Sequence, residues 1–308
     1  MRLQIANAPV SWGVDYAGDP DNPPYERVLD DIAAAGFTHI ELGPVGYLPE
    51  DPQRLNAELA ARGLTAVGTF LFDYIHDPAQ RTRVNDAAER TCRLIAAAGG
   101  AHLVIVDHLA ADRTAVAGRR DERTVLDDAG FGDLVDGVRA VAGVADKQGV
   151  RAVLHPHAGT YTEYRDEIDR LLAALDPAEV GLCIDTGHCA FAGVDPVALY
   201  CDYADRTEHF HFKDVDGAAL AQAIDERLDF DAAVSRGVFC PLGRGVVDFA
   251  ELRAALEEHD FHGTATIEQD VDPTLPADPV RDARASLAYL RDVGLVPGGV
   301  TVVSEPEA

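Results

Sequence analysis

Four residues that can bind a divalent metal ion follow four apolar runs in the second half of the chain. They are His155 in VLHPH, Asp185 in CIDTGH, His211 in HFHF and Glu268 in TATIEQD. Neutral imidazole and carboxylate oxygen are usual protein ligands of Mn, Co, Fe and Zn. One such residue at a strand end is commonly a cap or a satisfied polar group, but four on consecutive strands are hard to explain as caps. The pattern therefore predicts one metal site.

Two further polar residues follow the same strands. His188 lies three residues after Asp185, so the turn that leaves the strand can present it to the same pocket, with a helix cap as the equal alternative. Lys213 follows His211 by two residues, and strand alternation places both on one face. An unpaired ammonium in that position is costly, so we expect Lys213 to pair with Asp214 or with a substrate.

Five other residues, four of them near predicted strand ends, are candidates for substrate contacts. His157 shares a face with His155, although a supporting contact to a metal ligand is equally expected. Trp12 can form an apolar wall for a sugar ring, and Glu41 and Asp107 can bind hydroxyl groups. Arg244, between two glycines in PLGRG, can reach over the metal.

The elements that must position these residues are short apolar runs that alternate with longer helical patterns. The predicted helices end at a repeated glycine, which takes the left-handed conformation that a Cβ would strain; these are Gly36, Gly63, Gly100 and Gly149. Others begin where an aspartate caps a proline, at Asp51-Pro52, Asp77-Pro78 and Asp195-Pro196. A repeated helix, glycine and strand unit indicates parallel βα repeats.

Eight strands are predicted, the number that closes an α/β barrel of the (β/α)₈ type. They lie near Leu3, Thr38, Ala66, His102, Ala152, Gly181, Glu208 and Thr264. An open doubly wound sheet is the alternative, but IANAPVSWG after the first strand is not a phosphate-binding glycine fingerprint. In a barrel the C-terminal strand ends form the active face, where all the candidate residues above except Arg244 fall.

One long segment, 216–247, is predicted to be an insertion after strand 7 that roofs the site. It should contain a short helix at 218–226 and a turn at 241–245. We expect residues 1–296 to form a single barrel domain and residues 297–308 to be a loosely ordered tail.

The composition limits the partners of the chain. Its 308 residues are 47% hydrophobic, and the formal charge of −27 opposes binding to nucleic acid or to an anionic membrane. No stretch reaches the length needed to span a bilayer. The five cysteines are odd in number and lack a CxxC spacing, which favours a reducing cytoplasm.

Seven motifs together resemble the xylose-isomerase-like barrel superfamily of sugar isomerases and epimerases, and within it the myo-inosose dehydratases. They are NAPVSWG, ELGPVGYLP, HPHAGT, DTGHCAFAG, HFKDV, PLGRGVVDF and IEQDVDP. The resemblance implies that the metal is held by His155, Asp185, His211 and Glu268, with Mn or Co as the first choice and Mg, Fe or Zn as alternatives. It implies no organic cofactor.

His155 stands where many members of the superfamily carry a glutamate. An epimerase needs an acid and a base on opposite faces of an enediolate, whereas a dehydratase needs one proton abstraction and the loss of a β-hydroxyl. The resemblance therefore implies dehydration of a cyclic keto-polyol such as a keto-inositol. Glu268 would be a ligand that also moves the proton, and His188 or Lys213 would be the acid.

Three other functions remain as alternatives. The first is a keto-sugar isomerase or epimerase, and the second is elimination from an O- or C-linked 3-keto-glycoside. The third, a non-catalytic sugar-binding barrel, is least compatible with four retained ligands. In each case the partner is a small keto-polyol or keto-sugar, and a homo-oligomer is left open.

Overall fold

The computed structural model describes residues 1–272, 274 and 278–296, so the predicted tail at 297–308 lies outside the described residues. The ten strands are β1 (Arg2–Asn7), β2 (His39–Glu41), β3 (Thr65–Asp73), β4 (His102–Asp107), β5 (Arg151–Leu154), β6 (Gly181–Asp185), β7 (Thr207–Phe212), β8 (Asp214–Val215), β9 (Phe239–Cys240) and β10 (His262–Ile267). Among the described helices, none is long and apolar enough to cross a membrane.

Eight of these strands form a closed parallel barrel, which confirms the predicted α/β fold. Its order is β1-β10-β7-β6-β5-β4-β3-β2. The first and last barrel strands close the ring, with Arg2 opposite His262 and Asn7 opposite Ile267. Each of the eight predicted strand positions falls within or next to a barrel strand.

Helices surround the barrel and also form the connections above it. They are α1 (Tyr25–Ala35), α2 (Pro52–Ala61), α3 (Arg81–Ala98), α4 (Ala111–Thr114), α5 (Asp128–Lys147), α6 (Arg165–Ala174), α7 (Thr186–Phe191), α8 (Pro196–Asp202), α9 (Gly217–Asp225), α10 (Phe230–Ser235), α11 (Phe249–Glu258) and α12 (Pro279–Asp292). The large apolar cluster of the protein contains buried residues of the strands and of these outer helices, such as Leu29, Ile95 and Leu287.

The predicted helix boundaries hold at most positions and fail at two. The Asp51 carboxylate accepts a hydrogen bond from Arg54 N at 2.9 Å and begins α2 as expected. By contrast, Asp77 caps only a short 3₁₀ turn, and α3 begins later, at Arg81. The left-handed glycine after α3 is Gly99, with φ of 77°, rather than Gly100.

The segment between β7 and α11 is organised around the carboxylate of Asp214. Strands β8 and β9 pair antiparallel there, with Asp214 opposite Cys240. The Asp214 carboxylate accepts hydrogen bonds from four backbone N–H groups at 2.9 to 3.0 Å, those of Val215, Gly243, Gly245 and Val247. The PLGRG turn therefore wraps around Asp214, and this carboxylate is not the partner of Lys213 that the sequence suggested.

Candidate metal and substrate site

The structure brings the four predicted metal ligands together at the C-terminal end of the barrel. Asp185 Oδ2 lies 3.5 Å from His155 Nε2 and 3.9 Å from His211 Nδ1. Glu268 Oε2 lies 3.1 Å from the same His211 nitrogen. All four side chains are buried. Strand ends that are far apart in sequence thus bring two imidazoles and two carboxylates close together, with His211 next to both carboxylates.

The hydrogen bonds around these groups fit a divalent metal ion. Asp185 Oδ2 and His211 Nδ1 are buried and have no hydrogen-bond partner within the part of the chain that the structure describes. Burial without a partner is costly for polar atoms, and a cation would satisfy both. The carboxylate and imidazole donors match Mn, Fe, Co or Zn. The described residues therefore contain a group that could hold a metal ion.

Glu41 lies deeper in the barrel than this group and contacts His211, one of the predicted metal ligands, rather than the cavity. Its Oε2 is 3.1 Å from His211 Nε2, 3.1 Å from His209 Nε2 and 2.9 Å from Thr266 Oγ1. Burial raises the pKa of Glu41, but His211 and His209 outweigh it and hold the pKa well below its ordinary value. The carboxylate therefore fixes a proton on His211 Nε2 and leaves Nδ1 facing Asp185 and Glu268.

We predict that Glu41→Gln weakens metal binding about 10- to 100-fold, because the ligand imidazole loses its charged partner. Calorimetric titration of the metal-free protein with Mn²⁺ measures the change. Asp107→Asn is the matched control, since Asp107 is also a buried strand-end carboxylate but contacts His76 Nδ1, at 2.8 Å. Equal affinity in the wild type and the Glu41 variant would contradict this role.

Lys213 supplies a buried positive charge beside the proposed ligands. Its Nζ lies 2.7 Å from Asp270 Oδ1, 3.3 Å from Asp185 Oδ2 and 3.4 Å from Glu268 Oε2. Burial lowers the pKa of Lys213, but these carboxylates outweigh it and raise the pKa above its ordinary value. The side chain is therefore an ammonium ion. A Cβ at Gly187 would lie 2.6 Å from Lys213 Cγ, so a glycine is required there.

His157 and His188 form a neutral pair next to Lys213. Their ring centroids are 3.6 Å apart, and His188 Nε2 lies 3.1 Å from Lys213 Nζ. Burial lowers the pKa of both histidines well below the ordinary value, and the neighbouring histidines and Lys213 lower it further. The two imidazoles are therefore uncharged near neutral pH. His188 N also donates to Asp185 Oδ1 at 2.8 Å, so Asp185 caps α7.

These groups form one side of a cavity of about 330 Å³. Its polar side contains His155, His157, His188, His211, Lys213 and Glu268. Its apolar side contains Val10, Phe70, Phe72, Val106, Leu109 and Phe230. Helix α10, which lies within the predicted roof segment 216–247, contributes Phe230 and Val234 to the lining. The helix predicted at 218–226, observed as α9, contributes none of the lining residues. A small molecule with polar groups and an apolar face fits this arrangement.

Besides Glu41, three further predicted substrate contacts do not line the cavity. The chain turns after β1 into a 3₁₀ turn, and Trp12 is buried there with Nε1 donating to Asp31 Oδ2 at 3.1 Å. The Asp107 carboxylate binds the backbone and ring of His76. Arg244 is exposed in the turn around Asp214. The cavity contains none of these three side chains.

Conversely, four aspartates that the sequence analysis did not single out line the cavity: Asp15, Asp231, Asp270 and Asp272. Asp270 follows Glu268 by two residues, so the alternation used for Lys213 could have identified it. Asp15 lies in a loop after the first 3₁₀ turn and Asp231 lies in α10, where no periodic signal marks them.

A family model and a curated relative show the class of protein to which this barrel belongs. The family model described as "Xylose isomerase-like TIM barrel" matches residues 29–293, and the chain belongs to this family. Among curated relatives, it is 32% identical to an inosose dehydratase from Geobacillus kaustophilus over 94% of each chain.

Solved structures show the same fold at lower identity. A probable 3-DHS dehydratase from Bacillus anthracis has a TM-score of 0.69 at 16% identity, covering 94% of this chain and 98% of its own. The 3-keto-D-glucoside 4-epimerase of E. coli has a TM-score of 0.68 at 18% identity, covering 94% and 100%. This fold therefore occurs in both a dehydratase and an epimerase.

Proposed function

We propose that the protein is a metal-dependent dehydratase, a carbon–oxygen lyase that removes water from a cyclic keto-polyol such as an inosose. One observation carries the proposal: a carboxylate, an ammonium ion and side chains that could hold a metal ion meet in a single cavity. Similarity to the Geobacillus inosose dehydratase over most of both chains supports the substrate class.

His155, Asp185, His211 and Glu268 would hold the metal, with Mn or Co as the first choice. When bound, the ion would act as a Lewis acid that polarises the ketone and stabilises negative charge on its oxygen. The protein orients two of these side chains. Glu41 contacts Nε2 of His211, and the backbone N–H of His188 in the first turn of α7 donates a hydrogen bond to Asp185. Phe70 and Phe72 would cover the apolar face of the ring.

Glu268 is the best-placed base for the proton next to the ketone. Asp185 Oδ1 accepts the backbone N–H of His188, and Asp185 is not among the residues that line the cavity. Glu268 does line the cavity, and its Oε2 lies 3.4 Å from Lys213 Nζ. A carboxylate that lines the cavity can therefore accept the α-proton of a bound ketone.

Lys213 is the better of the two predicted acids. His188 is neutral, whereas Lys213 is an ammonium ion with protons to donate. The α C–H bond breaks toward Glu268, its electrons form the new double bond, and the β C–O bond breaks as Lys213 gives a proton to the departing hydroxyl. Because Nζ and Glu268 Oε2 are 3.4 Å apart, the proton can then return from Glu268 to Lys213.

Epimerisation of a keto-sugar is the second candidate. It needs a base on each face of the enediolate, and the residue at the first ligand position is His155 rather than a second glutamate. Incubation of the Mn-loaded protein with scyllo-inosose in D₂O separates the two functions. A conjugated product that absorbs in the ultraviolet supports dehydration, whereas deuterium incorporation without loss of water supports epimerisation.

We predict that removal of the metal with a chelator abolishes activity and leaves the fold intact, because the barrel core does not require the ion. Ultraviolet absorbance measures product formation, and circular dichroism monitors the fold. Re-addition of Mn²⁺ should restore the rate. Full activity in chelator would exclude the proposed mechanism.

A further inference from the structure

The cavity contains an excess of negative charge. Five carboxylates line it, those of Asp15, Asp231, Glu268, Asp270 and Asp272, and Lys213 is the one lysine or arginine among the lining residues. They come from separate parts of the fold: the loop after β1, helix α10 and the segment after β10. Ser235 Oγ donates to Asp272 Oδ2 at 2.8 Å and joins α10 to that last segment.

The single cation is already neutralised. Lys213 Nζ contacts Asp185, Glu268 and Asp270, all within 3.4 Å. An anionic group on a ligand would therefore meet no unpaired positive side chain among the residues that line the cavity. Apart from the proposed metal ion, its polar partners would be neutral imidazoles such as His188, which lines the cavity and has a buried Nδ1 without a hydrogen-bond partner among the described residues. These groups suit hydroxyls.

The pKa of Asp15 shows how the negative charges in the cavity act on an anion. Burial, followed by the charges of Asp270, Glu268 and Asp231, raises the pKa of Asp15 to about 7, although Lys213 acts in the opposite direction. Asp15 is nevertheless an exposed residue that also lines the cavity. A carboxylate or phosphate on a ligand that entered there would experience the same repulsion.

We propose that Asp15 and Asp231 are specificity residues, which admit uncharged polyhydroxy ketones and reject ring compounds that carry a carboxylate or phosphate. The proposal rests on the proposed function, because it assigns a substrate class to the same site. Asp270 and Asp272 add to the negative charge of the cavity, but each has another contact. Asp270 pairs with Lys213, and Asp272 accepts a hydrogen bond from Ser235 of α10. Asp15 and Asp231 make no such contact among the described residues, so they can be changed without disturbing the others.

The test compares two ring compounds on the Mn-loaded protein at pH 8, where Asp15 is ionised. The neutral probe is myo-inositol and the anionic probe is myo-inositol 1-phosphate, with dissociation constants measured by calorimetry at low salt. We expect Asp15→Asn/Asp231→Asn to bind the phosphate about tenfold more tightly than the wild type, since two repulsive charges near the ligand are removed. The gain should shrink in 0.5 M salt, roughly as screening predicts, and affinity for myo-inositol should stay within about twofold of the wild type.

The control is Asp86→Asn/Asp146→Asn, which removes the same net charge from exposed positions on α3 and α5. It should bind both probes like the wild type. Unchanged phosphate binding in the Asp15/Asp231 variant, no phosphate binding in any of the proteins, or an equal gain in the control would overturn the proposal. If myo-inositol binds to none of them, the substrate class of the proposed function fails, and the phosphate comparison still decides the role of the two aspartates.

Discussion

Glu268→Gln should lower kcat for dehydration of scyllo-inosose about 10³-fold. The amide keeps the size of the side chain and an oxygen that can face the metal, but it cannot accept the α-proton, and a positioned base is worth about 10² to 10⁴ in rate. Its contacts with His211 Nδ1 at 3.1 Å and Lys213 Nζ at 3.4 Å also lose their negative charge. Initial rates come from the ultraviolet absorbance of the conjugated product.

His157→Asn is the matched comparison, because His157 lines the same cavity and is not a proposed ligand or base. We expect this variant to lose about tenfold or less, the effect of one lost hydrogen bond. Mn²⁺ titration of both variants separates loss of the base from loss of the ion. If His157→Asn with bound metal were slower than Glu268→Gln, the role of the base would have to be reassigned from Glu268 to His157.

Lys213→Met should reduce both catalysis and stability. The methionine preserves the unbranched apolar stem that packs on Gly187, but it leaves the carboxylates of Asp185, Glu268 and Asp270 without their cation. Removing one partner of a buried charged group costs about 3–5 kcal/mol, and losing a general acid costs about 10² to 10⁴ in rate. Urea unfolding of the metal-free protein measures the first effect.

The other lysine of the sequence, Lys147, provides the control, since it is exposed at the end of α5. Lys147→Met should match the wild type in rate and stability. Saturating Mn²⁺ should restore part of the stability of Lys213→Met, because the ion supplies positive charge to Asp185 and Glu268. A Lys213→Met enzyme with an unchanged rate would transfer the acid role to another group.

The sequence predicted the barrel because its signals are local. Aspartates before prolines and glycines after helices specify helix ends within a few residues, and alternation assigns faces to each strand. These rules predicted that His155, Asp185, His211 and Glu268 lie close together, and their side chains are neighbours in the structure. Their role as metal ligands remains a prediction. The same rules could not choose between Gly99 and Gly100 at the end of α3, since both residues lack a Cβ.

The depth of an inward-facing side chain along the barrel axis could not be predicted from its own strand. Glu41 ends a strand and faces inward as expected, yet it contacts His211 from below. Strand β2 is only three residues long, and its register with β3 shifts between Ile40 and Glu41. The stagger of neighbouring strands decides whether an inward residue reaches the cavity, and that stagger depends on all eight strands together.

The pairing of β1 with β10 makes the barrel a structure of very long-range contacts. Met1 N and Asp260 Oδ1, 2.8 Å apart, are separated by 259 positions in the chain. At about 5–20 residues per second, ribosomal synthesis leaves β1 without this partner for roughly 10 to 50 s. Glu268 follows β10 directly, so the proposed metal site is complete only after the ring closes. Metal uptake by nascent chains would therefore mark the completion of folding.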